Sequence, residues 1–302
     1  MPDPAIAPYG SWKSPISSDL IVSDTIGLGQ VEIDGSDVYW AEQRPSEAGR
    51  YVVVKRTAEG QIEDVTRPPY NARTRVHEYG GGAFAVANGI VYFSNYTDQR
   101  LYRADSGSEP RPVTPEVELR YADARVDAKR NILICVREDH NVEGREAVNT
   151  LAYVRLDGDE GGGTVIAFGN DFYSTPRLSP DGTRIAWLTW NHPNMPWDGT
   201  ELWVADVAGD GSLSHQEQVT GGSDESIFQP EWSPDGLLHF VSDKTGWWNL
   251  YAVRDGQVEP LYPMQAEFGV PQWKFGYSTY AFIKPERIVC TIIERGFARL
   301  AL

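Results

Sequence analysis

Apolar residues in this chain come in short runs cut by clusters of Gly, Pro, Asp, Asn and Ser. In one stretch the runs are "STPRLS" (174–179), "TRIAWLTW" (183–190), "ELWVADV" (201–207) and "SHQEQVT" (214–220). Many β-branched and aromatic residues fill them, and no helical period is visible, so they read as strands. The group recurs. "PRLSPDGTRIAWLTW" from Pro176 aligns with "PEWSPDGLLHFVSD" from Pro230. A second shared element follows each, and its anchors are Tyr51, Leu101, Leu151, Leu202, Leu250 and Leu300, with steps of 50, 50, 51, 48 and 50. Each "SPDG" supplies the preset φ, the local side-chain hydrogen bond and the positive φ of a tight hairpin. Four strands per unit of about fifty residues is the blade of a β-propeller.

With strands named A to D from the axis outward, the pattern predicts an all-β propeller with five complete blades and most of a sixth. The last segment, "ERIVCTIIERGFARLAL", supplies strands B and C of that sixth blade. Its strand D would come from the N-terminus, with "SDLIVSD" (Ser18–Asp24) the candidate, or the chain stops short and leaves an open edge. The whole of residues 1–302 reads as one propeller domain with an arm at 1–24.

Blade geometry sorts the connections onto two faces. A–B turns are short and plain. B–C loops are longer: "EQRPSEAGR" (42–50), "NYTDQR" (95–100), "EDHNVEGREAVN" (138–149), "WNHPNMPWDGTE" (190–201) and "DKTGWWN" (243–249). They share a face with the D–A links, one of which is "TRVHEYGGGAF" (74–84). Unusual chemistry therefore gathers on a single face, where function concentrates on a rigid scaffold.

Composition narrows the partners. Lys plus Arg is 27, Asp plus Glu is 43, and the net charge is −16. A phosphate backbone would be repelled, which excludes nucleic acid. The two cysteines, Cys135 and Cys290, lie in apolar runs and read as buried free thiols. No basic segment leads into an apolar one at the N-terminus, and no apolar run spans a bilayer, so the expectation is a soluble cytoplasmic protein without a membrane partner.

Candidate chemistry is sparse. No Gly-x-Ser-x-Gly is present for an α/β-hydrolase nucleophile. No histidine pair has metal-ligand spacing, and no helix or Lys-Ser/Thr follows Gly80–Gly82, so neither metal nor nucleotide cofactor is expected. Catalytic residues are expected to be none. The triple glycine reads as a place of close backbone approach near the axis. Arg44, Glu47 and Arg50 of the first B–C loop are expected beside Arg75, His77, Glu78 and Tyr79, as a charged network that is either structural or ligand-binding. His192, Trp197, Asp198, Trp247 and Trp248 complete the substrate-binding or interdomain candidates. The tandem pair cannot both point inward from one strand.

"PYGSWKSPIS", "EQRPSEAGR", "RTRVHEYGGGAF", "FSNYTDQRLY", "WNHPNMPWDGTELW" and "WWNLY" resemble the N-terminal propeller of the prolyl oligopeptidase family of serine peptidases. The nearest branch is the acylaminoacyl-peptidase and dipeptidyl-aminopeptidase-like group. The resemblance runs from about Pro8 to Leu302. It implies a seven-bladed propeller that caps a C-terminal α/β-hydrolase domain carrying Ser, Asp and His, and that admits peptides while excluding folded proteins. Residues 1–302 are expected to hold neither that domain nor the seventh blade. In some members propeller glutamates hold the substrate's free amine; Glu47 and Glu78 suit that role by chemistry. The alternative is a free-standing, TolB-like six-bladed binding propeller. An open edge would also allow oligomers.

Overall fold

The computed structural model describes residues 6–23, 25–141 and 144–302. Among them, twenty-three strands form six antiparallel sheets. Blade one is β1 (Gly27–Asp34), β2 (Asp37–Arg44), β3 (Arg50–Arg56) and β4 (Ile62–Asp64). Blade two is β5 (Phe84–Ala87), β6 (Ile90–Ser94), β7 (Leu101–Ala104) and β8 (Arg111–Pro112). Blade three is β9 (Leu119–Asp127), β10 (Ile132–Asp139), β11 (Val148–Arg155) and β12 (Thr164–Ala167). Blade four is β13 (Phe172–Leu178), β14 (Arg184–Trp190), β15 (Glu201–Val207) and β16 (Leu213–Gly221). Blade five is β17 (Ile227–Trp232), β18 (Leu238–Ser242), β19 (Asn249–Arg254) and β20 (Gln257–Pro260). Blade six has three strands, β21 (Tyr280–Lys284), β22 (Arg287–Glu294) and β23 (Phe297–Ala301). All six repeat anchors fall in the third strand of their blades, as the fifty-residue step requires.

The hairpin chemistry read from "SPDG" is present atom by atom. The Ser179 hydroxyl donates to Asp181 at 2.7 Å, the Thr183 N–H donates to the same carboxylate at 3.0 Å, and Gly182 takes φ +70°. These bonds, the Thr183 N–H foremost, hold the Asp181 carboxyl down to about 2. The turn at Ser233–Gly236 repeats the arrangement.

First strands of successive blades line the axis and face one another. Three of them carry a bulge with a non-glycine residue at positive φ: Asp123, Thr175 and Gln229. The bulges turn polar side chains toward neighbouring blades. Buried Arg177 of blade four reaches Asp123 of blade three at 3.3 Å and Glu231 of blade five at 2.8 Å. Arg125 of blade three reaches Glu32 of blade one at 2.8 Å. Between blades the packing is apolar: one cluster joins Ile134 and Leu151 to Tyr173 and Trp187, and another joins Phe228 and Val241 to Tyr280 and Ile292.

One expectation fails. Ser18–Val22 is a short helix, α1, and not the outer strand of blade six. The Ser17 hydroxyl accepts the Leu20 N–H at 3.1 Å, and the Ile21 N–H bonds Ser17 O at 3.1 Å. Serine is a strong N-cap, so this local partner for the backbone replaces a ladder. Asp24, and residues 142–143 of the blade-three B–C loop, lie outside the described residues. The outward faces of the two end blades carry exposed apolar residues: Leu28, Val31 and Ile33 on blade one, Ile283 and Leu300 on blade six.

Candidate functional site

The link "TRVHEYGGGAF" is pinned at both ends. His77 and Glu78 both adopt left-handed φ, as do all three glycines. Consecutive turn bonds tie it, with Glu78 N–H to Arg75 O at 2.9 Å and Gly80 N–H to Val76 O at 3.0 Å. The His77 N–H donates to Glu138 of blade three at 3.1 Å. Strained non-glycine backbone of this kind persists only where its surroundings hold it.

What holds it is a strap, residues 267–279, the later part of the connection between β20 and β21, which forms no strand. The strap crosses to the glycines. Phe275 donates its N–H to Gly80 O at 2.9 Å and pairs in parallel with Gly81. A Cβ on Gly81 would sit 2.3 Å from the Phe275 carbonyl oxygen, and one on Gly82 would sit 2.8 Å from the Phe275 Cβ. Both glycines therefore serve close backbone approach. The Phe275 ring is buried with Val76, Ile134 and Trp187 in the core of blades three and four.

Beside this crossing lies a cavity of about 220 Å³. It is lined by the 77–80 link, by Phe172 and Trp190 at the ends of β13 and β14, by the blade-four B–C loop and by Gln272–Phe275 of the strap. These are all B–C or D–A connections, so the cavity opens on the loop-rich face. Phe172 and Trp190 stack at 5.3 Å with 14° between planes, and Trp197 meets Trp273 at 4.3 Å. The His77 imidazole is enclosed by Phe172, Trp190 and Phe275 at 4.8–5.5 Å. Burial pushes its pKa down to about 4, against the Asn149 side chain and the Asp123 charge, so it is neutral at pH 7. Its Nε2 is buried, as is the Asn149 Oδ1, and the Asn149 side chain is its hydrogen-bonding neighbour.

The candidates divide. His77, Tyr79, His192 and Trp197 come together at this cavity. The ring of exposed Tyr79 lies 5.8 Å from that of Trp273. The Asp171 carboxylate accepts the His192 N–H at 2.9 Å and lies 3.2 Å from its ring Nδ1. Asp198 turns the same loop, accepting the Met195 N–H at 2.9 Å. Arg75 is exposed, with its guanidinium 5.5 Å from the Tyr96 ring, and Glu78 pairs with Arg120 at 3.3 Å. Trp247 and Trp248 lie apart, on a second hollow with Glu267 and Pro271. There Trp248 stacks on Phe228 at 6.1 Å while Trp247 is partly exposed.

Arg44, Glu47 and Arg50 share no hydrogen bond or ion pair with the 75–79 residues among the described residues. They close on their own blade instead. All five N–H groups of Arg44 are used, by Glu42, Glu47 and Asp64. Arg50 bonds Glu47 at 2.7 Å and the carbonyls of Thr66 and Tyr70. The Arg44 hydrogen bond holds Asp64 below the usual carboxylate range, and Arg50 does the same for Glu47. With Asp64 first and burial opposing, the Arg44 pKa is raised. The expected link across the face is absent because nearer carboxylates of β2 and β4 saturate the guanidinium.

Sequence reasoning missed Phe172, Trp273, Lys274 and Phe275. A signal existed: nineteen residues separate the ends of β20 and β21, far more than the four between β12 and β13.

No protein-family model matches the chain, and no curated protein matches it. Solved structures do. The chain is 38% identical to puromycin hydrolase, solved as an S511A mutant complexed with PGG, over 97% of this chain and 48% of that one, with a TM-score of 0.89. It is 38% identical to a puromycin-hydrolyzing peptidase of Mycobacterium tuberculosis, over 98% and 48%, with a TM-score of 0.87. An oligogalacturonate lyase in complex with manganese, at 18% identity over 76% of this chain and 63% of that one, shares the fold alone at a TM-score of 0.56. The chain spans about half the length of the puromycin-hydrolysing proteins it matches. Over nearly its whole length, this six-bladed propeller is therefore similar in sequence and in fold to one half of a puromycin hydrolase.

Proposed function

We propose that this chain is the propeller portion of a serine peptidase of the prolyl oligopeptidase family, in its acylaminoacyl-peptidase and dipeptidyl-aminopeptidase-like branch. It gates peptide substrates and docks an α/β-hydrolase domain on its loop-rich face. The observation that carries this reading is 38% identity across 97% of the chain to half of a puromycin hydrolase. Peptide-bond hydrolysis is then the task of the docked domain. Residues 1–302 act as one domain with an arm at 1–24.

The exposed apolar faces of blades one and six support a seventh blade between them, since each needs a sheet to cover it. A free-standing TolB-like propeller would leave both faces in water, and copies of the chain would then associate through them. Two buried free thiols suit a cytoplasmic setting.

The test is amide hydrolysis by the chain alone and by the chain fused to the hydrolase half of a puromycin hydrolase. Activity against peptide amides in the fusion and none in the chain alone is expected. A correctly folded fusion that cleaves folded proteins as readily as peptides would sink the gating reading. Failure of the two halves to associate would sink the docking reading.

A further inference from the structure

We propose that the cavity between the blade-four loop and the strap is a subsite for a neutral aromatic side chain carried by a peptide. The inference rests on the peptide-gating reading for the ligand's backbone, while the pocket's chemistry selects the side chain.

Size comes first. An apolar cavity on the order of 150 Å³ accepts a benzene ring. At about 220 Å³, this one has room for a ring and its methylene. The walls set the preference. The stacked pair of Phe172 and Trp190 and the tilted pair of Trp197 and Trp273 line the same space. Aromatic pairs gain beyond area burial through their quadrupoles. No acidic residue lines the cavity, while Lys274 does, so a cationic side chain finds like charge and no counter-charge. The Asp171 carboxylate near the loop is already engaged by the N–H and ring of His192.

The His77 ring adds to the same walls: it is half-buried at the cavity, edge-on to Phe172 and Trp190, and the Asn149 side chain is its hydrogen-bonding neighbour.

The 302-residue chain is titrated with N-acetyl-phenylalanine amide, N-acetyl-cyclohexylalanine amide and N-acetyl-lysine amide. Tryptophan fluorescence and the His77 ring-proton NMR signals report binding. Saturable binding of the phenylalanine amide is expected, roughly three- to tenfold tighter than the cyclohexyl analogue, with none for the lysine amide. Trp197→Leu and Trp273→Leu should each weaken binding about tenfold with an unchanged circular dichroism spectrum. No saturable binding, equal affinity for the three amides, or binding untouched by both variants would overturn the subsite. Self-association abolished by Trp273→Leu would assign the pocket to a second copy and overturn it as well. None of these outcomes bears on hydrolase docking, which the fusion decides separately.

Discussion

Two motifs look alike in the sequence and end differently. "EQRPSEAGR" and "RTRVHEYGGGAF" both mix Arg with carboxylates in loops of one face. The first satisfies itself: Arg44 uses every donor on three carboxylates, and Arg50 caps two carbonyls of its own blade. The second is over-constrained in backbone and borders an aromatic cavity. Its φ values are left-handed, Gly81 and Gly82 are pressed by Phe275, and the His77 ring lies among Phe172, Trp190 and Phe275. A saturated ion network leaves little for a ligand to add. A cavity walled by aromatic rings leaves something to recognise.

The largest effect should come from unpinning the second motif. Phe275→Ala removes a buried ring that anchors the strap, and should cost about 3–5 kcal/mol in urea unfolding. A loss under about 1 kcal/mol would mean the strap does not hold the glycine link.

Next is acid. His77 titrates from 6.5 when unfolded to about 4 when folded. The depressed value means folding favours the neutral ring. Its contribution is complete above pH 6.5 and drains away as pH falls toward 4, at about 1.4 kcal/mol per unit. The first motif acts in another window. Glu47 and Asp64 have lowered values, so their contribution holds above the ordinary carboxylate range and is lost only below about pH 4. Unfolding measured between pH 7 and 4.5 should slope in the parent and flatten in His77→Asn, whose short side chain tolerates the left-handed backbone. Equal slopes would remove His77 as the cause.

Arg44→Ala should cost about 1–2 kcal/mol, because Glu42 and Asp64 are left as unpaired neighbours, partly relieved by solvent. It should leave aromatic-amide binding unchanged. A change in binding would reconnect the two motifs.

The smallest effect is expected at Glu78→Gln. Its exposed pair with Arg120 is worth within about 0.5 kcal/mol. If Glu78 holds a substrate amine, the same substitution in the full-length peptidase should cut aminopeptidase activity far more than stability. Parallel losses would favour a structural role.

Much of the fold was legible because propeller blades repeat. The fifty-residue step located every third strand, since each blade must present the same apolar pattern to the same kind of neighbour. "SPDG" fixed two hairpins through local bonds alone. "SDLIVSD" misled, because its short run of β-branched and aliphatic residues is compatible with a strand while the Ser17 cap favours a helical turn. Part of the site was legible as well: His77, Tyr79, His192 and Trp197 were marked by their loops. Their meeting with Trp273 and Phe275 was not, since the strap carries no repeat signal and reaches blade two across the ring.

The chain's own sequence determined the periodic matter: strand order, turn types, which connections share a face, and the acidic surface. Those follow from neighbours in the chain. Tertiary structure alone decided which polar groups saturate one another and which rings gather at the cavity. It made Gly81 obligatory and His77 neutral, because both depend on Phe275 arriving from 194 residues away.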